Sequence, residues 1–342
     1  MTATARVAAA VRGAPRDRVP VFPSMIGAAV TLQHGDQARF STDGEYLART
    51  LLRNREMFDF DGIYVSSDNW VMYSALGGTV LFPENGEPVG TEILCRDLSD
   101  LGGLRVPDPR TDGRMPVLLE AAARVMDQAG RDCFVLANID SGPFQLAGIL
   151  RGLEQLLFDV SDDAARLREL LELCAEVTIH YGRAMREEAG VPAVQFGDSM
   201  AGLISREQYE KLCFPYECRV IRALKDAGLM VFLHICGDSR HILDLMTRTG
   251  ADCLEIDEAV DLSTALNVAE GAACIRGNLR TTLFLDGTPR EVLARARECV
   301  RLAEGKRYIL SAGCGIPPAA RRENLDALRQ AVEHGAKGEK SW

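Results

Sequence analysis

The sequence lacks long apolar stretches and blocks of basic residues, and each absence excludes a class of protein. No apolar run reaches the roughly 18–20 residues that a membrane-spanning helix needs, so no membrane span is expected. Acidic residues outnumber basic ones by 49 to 39, which gives a formal net charge of −10. Because no basic cluster offsets that charge, neither a nucleic acid nor an anionic membrane surface is expected as a partner.

The N-terminal segment also lacks the features of a secretion signal. Its Ala-rich stretch is short and contains Arg6 and Arg12, so residues 1–17 are predicted to form an amphipathic helix of a cytoplasmic protein. Ten cysteines in a cytoplasmic chain are expected to be reduced thiols, most of them buried as small apolar side chains. The exceptions would be cysteines that bind a metal, and their spacing indicates which these are.

Short apolar runs alternate with longer helical patterns along the chain. The predicted strands are residues 18–22, 62–65, 133–139, 193–196, 229–235, 252–256, 273–275 and 307–310. The predicted helices are residues 42–58, 114–129, 161–188, 206–227, 240–248, 262–269, 290–303 and 322–334. Residues 77–95 are predicted to form a hairpin or excursion, and residues 335–342 a frayed tail.

This alternation predicts the fold. Apolar strands that alternate with helices indicate a parallel sheet covered on both faces. Eight strand–helix units fit a (β/α)8 TIM barrel, an α/β fold, better than an open doubly wound sheet. No GxGxxG follows the first strand, which disfavours a dinucleotide-binding sheet. A single TIM-barrel domain is therefore predicted over residues 1–342.

Three residues with metal-binding side chains follow predicted strands, where a barrel carries its chemistry. His234 and Cys236 are two residues apart at the end of one strand, so their side chains point to the same face. Cys314 follows the last predicted strand and reaches the same rim of a closed barrel. Such a His–Cys–Cys set is typical of a catalytic zinc site with one open position. Ordinary packing of each cysteine remains the alternative.

A fourth, displaceable zinc ligand is expected from the segment after the next strand. Glu258 lies 22 residues after Cys236, with Asp257 and Glu255 as competitors, and a solvated carboxylate is the alternative for each. A zinc site with two Cys and one His can bind an external thiol and lower its pKa, so that a thiolate forms at neutral pH. This chemistry suits alkylation of a thiol better than hydrolysis.

At these residues the sequence resembles the uroporphyrinogen decarboxylase superfamily. Within it, the zinc methyltransferase branch that includes the methylcobamide:coenzyme M methyltransferases carries an HxC followed far downstream by a Cys. His234, Cys236 and Cys314 match that pattern. SGPFQLAG at residues 141–148 and the segment 195–216 are similar to further superfamily motifs, and the resemblance covers most of the chain.

Two departures separate the chain from the decarboxylases of the superfamily. Those enzymes carry an Arg-bearing MRQAGR stretch after the first strand, and residues 22–30 here, FPSMIGAAV, contain no Arg. They also carry a His in NLGHG near the last strand, and here Cys314 takes that place in SAGCG. A substrate with many carboxylates needs cationic side chains in its binding site, so the missing Arg disfavours decarboxylation. The replacement of the His by Cys314 completes a zinc site.

The resemblance implies one zinc ion and methyl transfer to a thiol such as coenzyme M. It also implies a methylcobamide on a partner corrinoid protein as methyl carrier, since no DxHxxG motif is present to hold a corrinoid within this chain. Three alternatives remain open: a demethylase that loads a corrinoid protein, a uroporphyrinogen decarboxylase-like lyase, and a non-catalytic binding protein with structural zinc.

Further polar residues at predicted strand ends are candidates for the site. Asp198 matches an Asp of the family and is, with Glu258, a candidate catalytic side chain; a helix-capping role is the alternative. Asn138, Asp140 and Asn278 are expected to contact substrate, with loop or turn hydrogen bonds as the alternative. Ser66, Asp68 and Asn69 are weaker candidates, and Arg276 or Arg280 is a candidate clamp for a sulfonate.

Overall fold

The computed structural model describes residues 1–83, 86–99, 101 and 103–333. Its strands are β1 (Gly62–Val65), β2 (Val80–Leu81), β3 (Val89–Gly90), β4 (Phe134–Ser141), β5 (Ala193–Gly197), β6 (Met230–Ile235), β7 (Cys253–Ile256), β8 (Cys274–Leu279) and β9 (Tyr308–Ala312). Seven of them form one sheet in the order β1-β4-β5-β6-β7-β8-β9. All pairs in this sheet are parallel, as the strand–helix alternation predicted.

The helices follow the strands along the chain. They are α1 (Ala3–Arg12), α2 (Ile26–Thr31), α3 (Gln37–Thr42), α4 (Gly44–Phe58), α5 (Val71–Ala75), α6 (Met115–Ala129), α7 (Pro143–Arg151), α8 (Leu153–Asp162), α9 (Ala164–Ala189), α10 (Arg206–Leu212), α11 (Phe214–Asp226), α12 (Leu243–Arg248), α13 (Leu262–Val268), α14 (Leu283–Asp286), α15 (Pro289–Leu302) and α16 (Arg322–Gln330). A 3-10 turn covers Ser199–Leu203. Among the described residues, none of these helices has the length and hydropathy needed to cross a membrane.

The segment around Val21 closes the sheet into a barrel. Val21 forms a parallel bridge with Leu310 of β9, and the Phe22 and Leu310 N–H groups donate hydrogen bonds of 2.9 Å across that junction. On the other side, the Asp61 N–H donates to the Val21 carbonyl at 2.8 Å, next to the start of β1. This segment therefore occupies the eighth strand position between β9 and β1, and the predicted TIM barrel is confirmed.

Aromatic side chains and α1 fill the lower part of the barrel. Phe22, Tyr64, Phe134 and Phe232 are buried in one cluster inside the barrel, with the Phe22 and Phe134 rings 6.2 Å apart. Apolar side chains of α1 belong to the same cluster, so this helix covers the N-terminal end of the strands. Because the lumen is packed, space for a substrate remains at the opposite end, where the strands finish.

The N-terminal elements are shorter than the sequence predicted. The predicted helix over residues 1–17 ends at Arg12, because Gly13 adopts a left-handed conformation with φ of 72° and its N–H closes the last turn. The predicted strand over residues 18–22 forms one bridge, at Val21. The expected excursion is present as the antiparallel pair β2 and β3.

Two predicted long helices are each divided. The helix predicted over residues 161–188 breaks at Asp163, whose carboxylate accepts the Arg166 N–H and starts α9. The helix predicted over residues 206–227 breaks at Cys213, because α11 begins with a Pro in its first turn. The last helix ends at Gln330. Residues 335–342, predicted to be frayed, lie outside the described residues.

The Asp61 carboxylate joins the N-terminal residues to the barrel. It is almost fully buried, and it accepts hydrogen bonds from Arg6 Nη1 at 2.5 Å, from Arg18 Nη1 at 2.7 Å and from the Val21 N–H at 2.8 Å. Two cations and a backbone donor thus converge on one carboxylate beside the closing strand.

Removing this carboxylate is expected to destabilise the fold. Asp61→Ala leaves two partly buried guanidinium groups without this partner, and we expect a loss of about 3 kcal/mol in the free energy of unfolding. Urea unfolding followed by circular dichroism measures it. Asp127→Ala, at an exposed position of α6, is the matched control and should change stability by less than about 0.5 kcal/mol. Equal stability of the two variants would contradict the role given to Asp61.

Candidate metal and substrate site

The three predicted metal ligands lie together at the mouth of the barrel. His234 belongs to β6, Cys236 follows that strand by one residue, and Cys314 follows β9 by two. One ligand atom from each lies within 4.8 Å of the others. His234 is buried, and both cysteines are partly buried. Two strand ends that are far apart in sequence therefore supply one group of nitrogen and sulfur donors.

Small residues and backbone hydrogen bonds allow this approach. Gly197 of β5 pairs with His234, and the Asp198 N–H donates to the His234 carbonyl at 2.8 Å. The Cys236 N–H donates to Ser199 Oγ at 3.1 Å. A Cβ atom at Gly313 would lie 2.9 Å from the backbone nitrogen of residue 258, so only Gly lets the loop after β9 pass this close.

The thiols and the imidazole perturb one another. The hydrogen bond from Cys236 lowers the pKa of Cys314 to about 4, against the opposing effect of burial. Contact with Cys314 raises the pKa of Cys236, and so do burial and the hydrogen bond that its Sγ donates to Asp257 Oδ2 at 3.2 Å. Burial opposes protonation of His234, but Glu255 and Cys314 outweigh it and raise its pKa to about 9. The lowered pKa favours the thiolate form of Cys314. Binding of a metal would displace the protons of Cys236 and of the His234 nitrogen that binds it.

A buried ion pair lies directly beneath His234. Arg276 is completely buried and donates from Nε to the Phe22 carbonyl at 2.9 Å, from Nη1 to Gln195 at 2.8 Å and to Glu255 at 3.3 Å, and from Nη2 to Ser24 at 2.7 Å. Glu255 Oε2 lies 3.8 Å from His234 Nδ1.

The expectation that Arg276 is a sulfonate clamp at the mouth is therefore wrong. Strand β8 extends to Leu279, beyond the predicted end at residue 275, and places Arg276 inside the barrel. All three of its nitrogens are already bonded there.

Asp198 caps a helix close to the metal-capable group. Its buried carboxylate accepts the Gln145 N–H at 2.6 Å and the Phe144 N–H at 3.4 Å, at the start of α7. Burial raises the pKa of Asp198 to about 7 against these hydrogen bonds. The side chain has the contacts of the capping alternative, and its backbone supports the end of β6 at His234.

The predicted substrate-binding residues of β4 hold neighbouring loops in place. Asn138 Nδ2 donates to Ser66 Oγ at 3.1 Å, and its Oδ1 accepts the Asp140 N–H at 3.1 Å. Asp140, with φ of 66°, accepts the Met72 N–H at 2.9 Å, and its burial raises its pKa to about 7. These contacts are those of the loop-bonding alternative; a role in substrate binding stays a prediction.

Asn278 and Glu258 lie on the other side of the mouth. Asn278 Nδ2 donates to the Val260 carbonyl at 2.6 Å and fixes the loop after β7. Glu258 is exposed and lines a cavity together with Asp257, Asn278 and Arg280. Of the carboxylates considered from sequence, the structure brings Asp257 into contact with the three-residue group; the role of Glu258 stays a prediction.

A second cavity, of about 210 Å³, opens beside Cys314. We refer to it as the Cys314 cavity, and its described lining residues are Ile26, Gly27, Gln37, Ser67, Asp68, Asn69, Trp70, Glu87, Pro88, Cys314, Gly315, Ile316, Pro317 and Pro318. The sequence pointed to Asp68 and Asn69 as residues after β1. It gave no signal for Gln37 and Glu87, which come from α3 and the excursion and carry no strand-end pattern, and it did not single out Trp70, which follows Asn69 just before α5.

The fold and the clustered donors define a TIM-barrel protein with a metal-capable His–Cys–Cys group at its mouth. Comparison with known proteins assigns the chain to a family: it belongs to the uroporphyrinogen decarboxylase (URO-D) family, which it matches over residues 2–335.

Relatives in this family include two kinds of enzyme. The chain is 27% identical over 336 residues to the methylcobamide:CoM methyltransferase MtbA of Methanosarcina mazei, covering 96% of this chain and 97% of that protein. It is 30% identical over 355 residues to the uroporphyrinogen decarboxylase of Anaeromyxobacter dehalogenans, covering 96% and 98%. Among relatives, methyl transfer is therefore represented alongside decarboxylation.

Solved structures agree with this assignment. A methyltransferase from Methanosarcina mazei superposes with a TM-score of 0.88 at 25% identity, over 97% of this chain and 98% of that one. A B12-independent methionine synthase from Shewanella sp. W3-18-1 superposes with a TM-score of 0.58 at 13% identity, over 84% and 86%. The second likeness is one of fold alone.

Asp140 is expected to make stability depend on pH. An unfolded aspartate titrates near ~3.9, so the folded state, with its raised pKa, holds the proton more tightly. That stabilisation is complete below about pH 4 and is lost as the pH rises through about 7. Asp140→Asn removes the titration and keeps an acceptor for the Met72 N–H. Relative to wild type, the variant should gain about 4 kcal/mol between pH 4 and pH 8 in urea unfolding, because the folded and unfolded pKa values differ by about 3 and this stabilisation is lost over that range.

The matched control for this measurement is Asp132→Asn, at an exposed position. It should follow the wild type at every pH. If Asp140→Asn also follows the wild type, Asp140 does not hold a proton in the folded protein.

Proposed function

We propose that this protein is a cytoplasmic, zinc-dependent methyltransferase. It moves a methyl group between a methylated corrinoid protein, or a small methyl donor, and a thiol such as coenzyme M. The observation that carries the proposal is the position of Cys314, which brings its Sγ to within 4.8 Å of the donor atoms of His234 and Cys236.

The donor set fits zinc. Zinc takes thiolate sulfur at about 2.3 Å and imidazole nitrogen at about 2.0–2.1 Å in a tetrahedral arrangement. Donor atoms that already lie within 4.8 Å of one another need only a small contraction to reach it. His234 Nδ1 is buried and has no hydrogen-bond partner among the described residues. This nitrogen is therefore available to bind a metal or to donate a hydrogen bond when the other ring nitrogen binds one. When bound, zinc would lower the pKa of a substrate thiol so that it is a thiolate at neutral pH.

The residues of the chain prepare this reaction in three ways. Asp198 and Ser199 fix the end of β6 through backbone hydrogen bonds, so His234 and Cys236 are held in place. Glu255, paired with Arg276, faces the imidazole from below. The Cys314 cavity leaves room for a substrate next to the donor group. In the transfer itself, the thiol loses its proton, its sulfur bonds the methyl carbon, and the donor keeps the electron pair of the broken bond.

The contacts favour Asp257 over Glu258 as the displaceable fourth ligand. The Asp257 carboxylate already lies 3.2 Å from Cys236 Sγ. Glu258 is exposed, and its side chain lies in the cavity on the far side of this loop. We therefore assign the fourth ligand position to Asp257. Glu258 is the competing candidate for that position.

The relatives alone do not distinguish methyl transfer from decarboxylation, but the relatives and the residues of the site together favour methyl transfer. Methylcobamide and CoM appear in the names of the MtbA relatives, and uroporphyrinogen decarboxylases are also among the relatives. A substrate with many carboxylates requires cations, and the described lining of the Cys314 cavity contains no Lys or Arg. A demethylase that loads a corrinoid protein would use the same residues in the opposite direction.

Loss of Cys314 is expected to remove the metal. Wild-type protein should carry about one zinc per chain, and Cys314→Ala should lose most of it together with thiol-dependent methyl transfer, because only His234, Cys236 and the displaceable Asp257 carboxylate remain. Elemental analysis of the purified, folded proteins gives the metal content, and a methylcobalamin assay with coenzyme M and, separately, with 2-mercaptoethanol as the acceptor gives the activity.

Cys299→Ala is the matched control. Cys299 is a partly buried free cysteine of α15, outside the donor group. This variant should keep both zinc and activity. A metal-free wild type that remains fully active would contradict the proposal.

The fourth ligand is tested by a pair of carboxylate variants. Asp257→Asn should weaken zinc binding about tenfold, and Glu258→Gln should leave it within about twofold, because only the first carboxylate contacts the thiols. Competition with a chromogenic chelator measures both affinities. The reverse order would assign the fourth position to Glu258.

A further inference from the structure

We propose that the Cys314 cavity accepts a small thiol that is neutral or cationic at its far end, and that it discriminates against a sulfonate or carboxylate. The inference concerns the substrate class and rests on the proposed function. It is carried by the charges and the aromatic side chain that line this cavity.

The cavity has carboxylates but no free cation. Asp68 and Glu87 are its charged lining residues among those described. The Arg114 guanidinium contacts this lining through Asp68: Nη1 and Nη2 donate to the two Asp68 oxygens at 2.6 and 2.7 Å, and Nη1 also donates to the Ser41 carbonyl. Its Nε is buried and has no hydrogen-bond partner among the described residues. The Arg114–Asp68 pair is buried and has no net charge, so it adds no net positive charge to the cavity.

Glu87 leaves the cavity with a net negative charge. Among the described residues, its carboxylate has no ion pair or hydrogen bond. It points towards α2, since a Cβ atom at Gly27 would lie 3.3 Å from Glu87 Oε1. Gly27 therefore allows the excursion to bring this carboxylate to the wall of the cavity. Ile26 and Gly27, from the segment 22–30 that contains no Arg, line the same cavity.

Trp70 adds a surface that favours a cation. Its indole ring lines the cavity and is fixed from behind by Tyr73, whose ring lies 5.2 Å away at 78°. Gly90 of β3 packs directly on the indole, where any side chain would collide with it. A rigid indole close to an unneutralised carboxylate is the usual recognition element for an ammonium group.

Metal binding would not give the Cys314 cavity a net positive charge. Two cysteine thiolates neutralise a divalent ion, and Asp257 adds a further negative charge beside Cys236. Of the two arginines considered for an anion, Arg276 is buried in the barrel with all its nitrogens bonded, and Arg280 lines the other cavity at the mouth, with Glu258. The group at the far end of the thiol would therefore meet Glu87 and Trp70 without a compensating cation.

A series of thiols that differ only in end group tests the inference. The probes are cysteamine, 2-mercaptoethanol and 2-mercaptoethanesulfonate, titrated into Co²⁺-loaded protein, with the increase of the sulfur-to-cobalt absorption band above that of Cys236 and Cys314 reporting binding. We expect cysteamine to bind about tenfold more tightly than the sulfonate, with mercaptoethanol between them. Quenching of Trp70 fluorescence in a Trp342→Phe background provides a second readout that needs no turnover.

Two variants identify the residues responsible. Glu87→Gln should bring the affinities for cysteamine and the sulfonate to within about threefold of each other and leave mercaptoethanol unchanged. Glu92→Gln, the same substitution at an exposed position of the same excursion but outside the cavity lining, should keep the wild-type preference.

The outcomes separate this inference from the proposed function. If mercaptoethanol and the sulfonate bind equally well or the sulfonate binds more tightly, the charge preference is refuted and the thiol site stands. If no thiol in the series changes the sulfur-to-cobalt band, thiol binding itself is refuted, and with it the proposed function.

Discussion

The buried guanidinium of Arg276 connects more of this barrel than any other side chain described here. It links β8 to the closing segment at Phe22 and Ser24, to β5 through Gln195 and to β7 through Glu255. Its guanidinium also lies 4.6 Å from the centre of the Phe22 ring. A buried cation is tolerated only when its hydrogen bonds are satisfied, and here all three nitrogens are. The result is a filled lumen with a fixed polar layer directly below His234.

That polar layer determines where chemistry can occur. Because the lumen is closed by Arg276 and the aromatic cluster below it, a substrate can reach the barrel only at the strand ends. Glu255 faces both Arg276 and His234, so the interior ion pair also sets the electrostatic surroundings of the first predicted ligand. Gly313 then lets the loop after β9 pass close to the loop after β7 and brings Cys314 to Cys236. Both decarboxylases and methyltransferases are among the relatives, and on a shared fold the function depends on the side chains of the site.

Much of this architecture was predictable from sequence, because it depends on local periodicity. Apolar strands alternating with helices indicated the barrel, and the two-residue spacing of His234 and Cys236 placed both side chains on one face. The lumen position of Arg276 was not predictable, since it required the true length of β8. The choice between Asp257 and Glu258 depends on one loop conformation, and the wall formed by Trp70 and Glu87 depends on how the excursion packs on α2. Such contacts between distant segments leave no periodic signal.

The most direct test of the account is zinc X-ray absorption on the wild-type protein. The account predicts a first shell of two sulfurs at about 2.3 Å and one imidazole nitrogen at about 2.0–2.1 Å, completed by one oxygen or nitrogen. Addition of a substrate thiol should replace that last ligand with a third sulfur. A shell of oxygen and nitrogen alone, or a shell that no thiol alters, would contradict the central claim that His234, Cys236 and Cys314 form a thiol-activating metal site.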